Sequence, residues 1–180
     1  PSSTQNWFYN FKELTDIYGL ENLNTSRVTT MADMFNGCAK LKKLDLSHFS
    51  TAKLTKMESM FYGCSALEKL SFGYNWQTEN VTTMSSLFNG CSSLKELAFT
   101  YSFDTKNVTT MAYMFNGCSS LENFDLNFQQ TFNTENVTNM AQMFSGCSRL
   151  KRMLPITSTE NVTNMSHMFY ACQSMEEINF

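Results

Sequence analysis

The sequence predicts an α/β solenoid: a stack of about seven short helix–turn–strand units with a parallel β-sheet on one side. Two observations carry that reading. One segment recurs, as "MADMFNGCAKLKKLDL", "MESMFYGCSALEKLSF", "MSSLFNGCSSLKELAF", "MAYMFNGCSSLENFDL", "MAQMFSGCSRLKRMLP" and "MSHMFYACQSMEEINF". The copies start at Met31, Met57, Met84, Met111, Met140 and Met165, in steps of 26, 27, 27, 29 and 25 residues. Within each copy the apolar period shifts from three-to-four to two, a helical face followed by a strand. One such unit cannot bury its own apolar face, but stacked units cover each other.

A weaker copy comes first. "WFYNFKELTDI" sets Trp7-Phe8 over Met34-Phe35, Phe11 over Cys38, Leu14 over Leu41 and Ile17 over Leu44. Residues 5–26 therefore read as an N-terminal capping unit, with Pro1-Ser2-Ser3-Thr4 as a polar helix start. Repeat units follow at 27–52, 53–79, 80–106, 107–135, 136–160 and 161–180, the last one truncated, in a single array over 1–180.

The fifth unit shows the elements in order. Val108, Met111, Met114, Phe115 and Cys118 recur at three- and four-residue spacing, one face of a short helix. Thr109 stands where a side chain caps a helix. Gly117 stands where a left-handed residue closes one. Asn10 holds that place in the first unit, and Asn tolerates it. Ala171 holds it in the last, where a distorted turn is expected. "LENFDL" then alternates as a strand, with Phe124 and Leu126 inward. The sequence ends in "EEINF", within an expected strand, so an open sheet edge is expected there.

Thirteen basic and 16 acidic residues give a net charge of −3. Nucleic-acid binding needs clustered Lys and Arg, so no such partner is expected. No apolar run nears the roughly 20 residues that span a bilayer, so no direct membrane insertion is expected. The chain opens on Pro1 rather than Met. It reads as a piece of a longer or processed protein, with any anchor outside it.

Cys38, Cys64, Cys91, Cys118, Cys147 and Cys172 share one repeat position. Stacked equivalents point the same way, about 4.8 Å apart, whereas a disulfide needs converging Cβ atoms about 3.8 Å apart. They read as a buried column of reduced thiols. No His and no C-x-x-C pair accompanies them, so no metal is expected, and no other cofactor. The methionines and the seven aligned phenylalanines, Phe8 to Phe169, read as core. Asn80, Asn107, Asn136 and Asn161 begin N-V-T, but Arg27 and Lys53 fill the same slot, so these are turn and capping residues. His48 and His167 occupy different repeat positions, and no nucleophile–base set converges. No enzymatic activity is expected. Asp45 and Asp125 share a strand column and read as a solvated face rather than the carboxylate pair of a glycosidase.

Binding is left to positions the repeat does not use. Outward strand residues form the candidate face: Lys43, Asp45, Lys69, Ser71, Glu96, Thr100, Asn123, Asp125, Arg152, Leu154 and Ile156. Leu154 and Ile156 would make an exposed apolar spot beside Arg152. In the loops after the strands, Tyr74, Tyr101 and Phe128 continue the inward alternation. Trp76, Phe103 and Phe132 lie further out and are candidate interaction anchors.

The pattern N-V-T-x-M-x-x-M-F-x-G-C-S-x-L-x-x-L-x-L resembles the repeat of bacterial BspA-like surface proteins. That repeat also occurs in mycoplasma lipoproteins and is counted with the leucine-rich repeats. The resemblance covers residues 5 to 180. It implies an extracellular, non-enzymatic module on the bacterial surface, an adhesin that binds protein ligands such as host extracellular-matrix or cell-surface proteins. It carries over no binding residue, because the surface is the family's variable part. The alternative expectation is a structural stalk that presents another domain.

Overall fold

A computed structural model describes residues 1–97, 103–122, 132–153 and 156–178. The second coil shows how each unit is built. The N–H groups of Met34, Asn36 and Cys38 donate back three residues, to Met31, Asp33 and Phe35, at 3.1–3.2 Å. The N–H groups between them, on Met31, Asp33, Phe35 and Gly37, donate to Lys56, Glu58, Met60 and Tyr62 of the next coil at 2.7–3.0 Å. Every second donor therefore closes a turn, and every other one ties two coils together.

This corrects the predicted helix. An α-helix spends its N–H groups internally, on the residue four back, and would leave none for the neighbouring coil. The chain instead turns left-handed at every fourth position: Asp33 (φ 55°) and Gly37 (φ 77°) here, His167 (φ 56°) and Ala171 (φ 59°) in the last coil. A non-glycine residue pays roughly 1–2 kcal/mol for that conformation. The inter-coil bond it permits returns about 1 kcal/mol, and burial of the inward face adds more. No α-helix occurs among the described residues; one 3-10 turn spans Leu20–Asn22. Ala171 keeps the same left-handed turn as the glycines, not a distorted one.

Two parallel seams join the coils. On one side β1 (Lys43–Leu46) pairs with β2 (Lys69–Phe72), Lys43 opposite Lys69 and Asp45 opposite Ser71. Arg152 and Glu177 bridge in the same sense further along. On the other side single parallel bridges run from Ser3–Thr30 through Thr83–Thr110 to Asn139–Asn164. The leader is the first rung of that seam rather than a helix start, since the Thr4 N–H donates to Thr30 at 3.1 Å. Thr109 is a rung as well, not a cap. Its N–H and its hydroxyl both reach the Thr82 carbonyl, at 3.0 and 3.2 Å.

Between the seams lies one continuous core. Its axis is a phenylalanine stack from Phe8 through Phe35, Phe61, Phe88, Phe115 and Phe144 to Phe169, ring centroids 5.3–6.0 Å apart and planes within 9° of parallel. Each buried ring contributes about 1.5–3 kcal/mol of transfer free energy. A buried threonine column runs alongside. Thr78 Oγ1 donates to the Asp104 carbonyl and accepts the Asp104 N–H, both at 2.7 Å. Thr25, Thr51 and Thr134 make the same paired bonds to the next coil.

The loops reverse the expected alternation. Trp76 is 0% exposed and Tyr74 is 87% exposed. A turn from Gly73 to Trp76, closed at 3.0 Å, shifts the phase after β2, as the turn from Leu46 to Phe49 does after β1. Phe49, Trp76, Phe103, Phe132 and Ile156 are therefore equivalents in one buried column. Trp76, Phe103 and Phe132 are core, not loop anchors, and Ile156 is core, not an exposed apolar spot. Tyr101 and Phe128 lie outside the described residues.

Candidate binding surfaces

On the strand face, Lys43, Asp45, Lys69, Glu96 and Arg152 are exposed, and Ser71 is half-buried. β1–β2 pairing aligns Lys43 with Lys69 and Asp45 with Ser71, which gathers these side chains on one surface. Thr100, Asn123, Asp125 and Leu154 lie outside the described residues. Asp45 Oδ1 accepts the Ser47 N–H at 2.9 Å, and bonding from Ser47 holds the carboxyl below its usual range. Two shallow hollows flank the pair of strands. One lies between Ile17, Leu20 and Glu21 of the first coil and Lys43, Asp45 and His48. The other runs from Lys69 and Ser71 to Glu96.

Beside this face stands a column that the residue-by-residue reading missed. Lys42, Glu68, Lys95, Glu122, Lys151 and Glu176 alternate in sign from coil to coil. Backbone bonds join the rungs: Glu68 N–H to Lys42, Glu122 to Lys95, Lys151 to Glu122 and Glu176 to Lys151, at 2.9–3.2 Å. Opposite charges on neighbouring strands favour this register over a slip by one coil. The signal was present as a simple alternation, visible only when the units are read down a column.

The residues of apparent chemical interest serve the scaffold. Each cysteine thiol donates to the carbonyl of the phenylalanine one coil back, as Cys64 does to Phe35 and Cys147 to Phe115, at 3.1 Å. All six are free thiols; five are buried and Cys172 is half-buried. Burial pushes Cys64 and Cys118 up to about 12 and Cys38 up to about 11. A thiol held protonated is a poor nucleophile and a poor ligand. The sequon asparagines also tie coils together: Asn80, Asn107, Asn136 and Asn161 donate Nδ2 to Ala52, Glu79, Lys106 and Glu135 at 2.7–3.0 Å. Among the described residues, no three His, Cys, Asp or Glu side chains cluster so that they could hold a metal. No described helix is long and apolar enough to cross a membrane.

Coils stacked in parallel register around a Leu, Met and Phe interior, with a short parallel sheet on one side, define a leucine-rich-repeat-like solenoid. The chain belongs to the family described as "Mycoplasma protein of unknown function, DUF285", whose model matches residues 2–96 and 69–179. The fold class is shared with a leucine-rich repeat protein from Bacteroides ovatus, 21% identical with a TM-score of 0.50, over 85% of this chain and 41% of that one. Two further solved structures are more distantly similar. The T. pallidum leucine-rich repeat protein is 18% identical with a TM-score of 0.49, over 82% and 72%. One from Eubacterium ventriosum is 20% identical with a TM-score of 0.46, over 81% and 41%. The chain thus spans about two fifths of the length of the Bacteroides protein. No curated protein matches it.

Proposed function

We propose that this array is a non-enzymatic protein-binding module displayed at the bacterial surface, an adhesin that engages protein ligands across its strand face. The observation that carries the reading is the exposure of Lys43, Asp45, Lys69, Glu96 and Arg152, with Lys43 and Lys69 in parallel register. The charges on this face are mixed in sign, so it suits a protein surface rather than a polyanion. The thiols, methionines and sequon asparagines, by contrast, are occupied within and between coils. The test is adhesion to immobilised extracellular-matrix proteins by the intact chain and by a variant with Lys43, Lys69, Glu96 and Arg152 changed to Ala. Loss of adhesion with an unchanged melting temperature is expected. Full adhesion by the variant would overturn the reading.

A structural stalk is the second reading. The charge alternation from Lys42 to Glu176 favours it, because opposite charges that follow one another from coil to coil serve the stack itself. On this reading, removing whole coils changes adhesion while face substitutions do not.

A further inference from the structure

The turn run presents two columns, one at Asp33 and one at Asn36, which continue through all seven coils. Charged residues make up 16% of the chain, yet these columns hold a single one, Asp33. Its carboxylate is occupied by the Asn36 amide at 2.7 Å. The remaining positions are Asn, Ser, Gln, His and Tyr. The tyrosines are Tyr9, Tyr62 and Tyr170 in the Asn36 column, on the first, third and seventh coils, and Tyr113 in the adjoining Asp33 column, on the fifth. All four are exposed, Tyr62 at 43% and Tyr170 at 66%.

Coils spaced as parallel strands, about 4.8 Å apart, put residues on alternate coils roughly 10 Å apart along the axis. That interval is close to the length of a disaccharide in an extended β-1,4-linked polysaccharide. A tyrosine ring offers an apolar face and a polar tip, and the apolar face suits the CH-rich face of a pyranose. The half-buried Ser59, Ser86, Asn89, Asn116 and Gln142 between the rings supply donors and acceptors for sugar hydroxyls. An anionic chain would find no cation here.

The backbone gives a second, independent observation. In the first four coils the left-handed position holds small residues, Asn6, Asp33, Ser59 and Ser86. From the fifth it holds Tyr113, Gln142 and His167, at φ 61°, 55° and 56°. His, like Asn and Asp, is enriched in that region, but Tyr and Gln are uncommon there, and strain of this kind gathers at functional sites. These side chains meet one another on the surface rather than in the core. Gln142 Nε2 donates to the Tyr113 hydroxyl at 3.2 Å, Asn116 Nδ2 donates to Gln142 Oε1 at 3.4 Å, and His167 meets Tyr170 edge-on at 5.9 Å.

We propose that this turn face binds an uncharged β-1,4-linked glycan laid along the solenoid axis. Tyrosines of alternate coils stack on every second sugar. The site is separate from the strand face and stands or falls apart from it.

The test uses the intact chain, with chitohexaose and cellohexaose in titration calorimetry and insoluble chitin and cellulose in sedimentation. At least one glycan should bind, with an affinity indifferent to salt. Tyr62→Ala and Tyr113→Ala should each weaken it about tenfold, while Tyr62→Phe and Asp33→Asn should not. Melting curves of the variants show that they fold. Changing Lys43 and Lys69 to Ala should leave glycan binding intact, which separates this outcome from that of the strand face. Failure of all four glycans to bind, binding unmoved by Tyr62→Ala, or capture of a protein ligand instead through Tyr62 and Tyr113 would each overturn the proposal.

Discussion

The Cys91 thiol donates to the backbone carbonyl of Phe61, 3.1 Å away in the preceding coil. The bond couples two columns that share the core, the thiols and the stacked rings. Because it uses the protonated thiol as donor, it makes the fold depend on those protons.

The first prediction is alkaline destabilisation. Burial raises the folded-state values of Cys64 and Cys118 to about 12, from 9.0 in the unfolded chain. Between those values the folded state keeps protons that the unfolded state has lost. Stability is therefore full below pH 9 and falls as pH rises towards 12. Each buried thiol adds a slope of up to about 1.4 kcal/mol per pH unit. Urea midpoints at rising pH measure it, and Cys91→Ala should reduce the slope. A midpoint that holds steady above pH 9 would contradict the proton dependence.

Which side chains point inward was legible, because residues at 31, 34, 35 and 38 share a face in a helix and in a run of three-residue turns alike. The backbone was not legible for the same reason: the apolar spacing cannot distinguish bonds within a coil from bonds between coils. The left-handed positions were half visible, at Gly37 and its equivalents, but hidden at Asp33 and Tyr113, where no glycine marks them. The loop column was inverted because alternation was carried through Gly73–Trp76, where a turn resets it. The strand face was legible at Lys43 and Lys69, since alternation holds through β1 and over Lys69 and Leu70 of β2.

Gly73 is predicted to be irreplaceable. A β-carbon there would sit 1.9 Å from the Ser47 carbonyl oxygen, which is backbone and cannot swing away. Gly73→Ala should cost about 3 kcal/mol, at the upper end for overpacking. At Gly63 the nearest atom would be 3.8 Å away and only the left-handed backbone (φ 67°) is strained, so Gly63→Ala should cost about 1–2 kcal/mol. Chemical unfolding of both variants tests the order, which the structure requires to be Gly73 worse than Gly63.

Reversing one charge in the alternating column should be felt by both neighbours. Lys95→Glu puts an acid between Glu68 and Glu122, so that three follow one another in coils bonded through their backbones. The expected loss is about 1 kcal/mol at low ionic strength, shrinking in salt because these side chains are exposed. Lys95→Gln, which removes the charge without creating like neighbours, should cost less. Equal loss at low and high salt would show that the column acts through packing rather than charge.

Relieving the left-handed strain should stabilise the fold. Ser86 sits at φ 56° and its N–H donates to Ala112 in the next coil at 2.9 Å. Asn adopts that backbone more readily than Ser. Ser86→Asn should therefore raise stability by about 0.5–1 kcal/mol with the inter-coil bond kept. Ser86→Val, β-branched and poorly suited to positive φ, should lower it. Thermal melts of the two variants should move in opposite directions.

The last prediction concerns position along the stack. Phe88 is fully buried between Phe61 and Phe115, at ring distances of 5.3 and 5.4 Å. Phe169 is half-buried and stacks on Phe144 at 6.0 Å. Removing a ring from the middle opens a cavity that two neighbouring coils line, and neither can close it without breaking inter-coil bonds such as Phe61 N–H to Leu87. Phe88→Ala should cost about 3–5 kcal/mol. Phe169→Ala removes less buried surface from a coil free to relax, and should cost clearly less. In a solenoid, stability is a sum of coil and interface terms, so the two variants should also differ in kind. Hydrogen exchange should rise throughout the array for Phe88→Ala and only near residues 161–178 for Phe169→Ala. Equal, uniform destabilisation by both would contradict the stacked architecture.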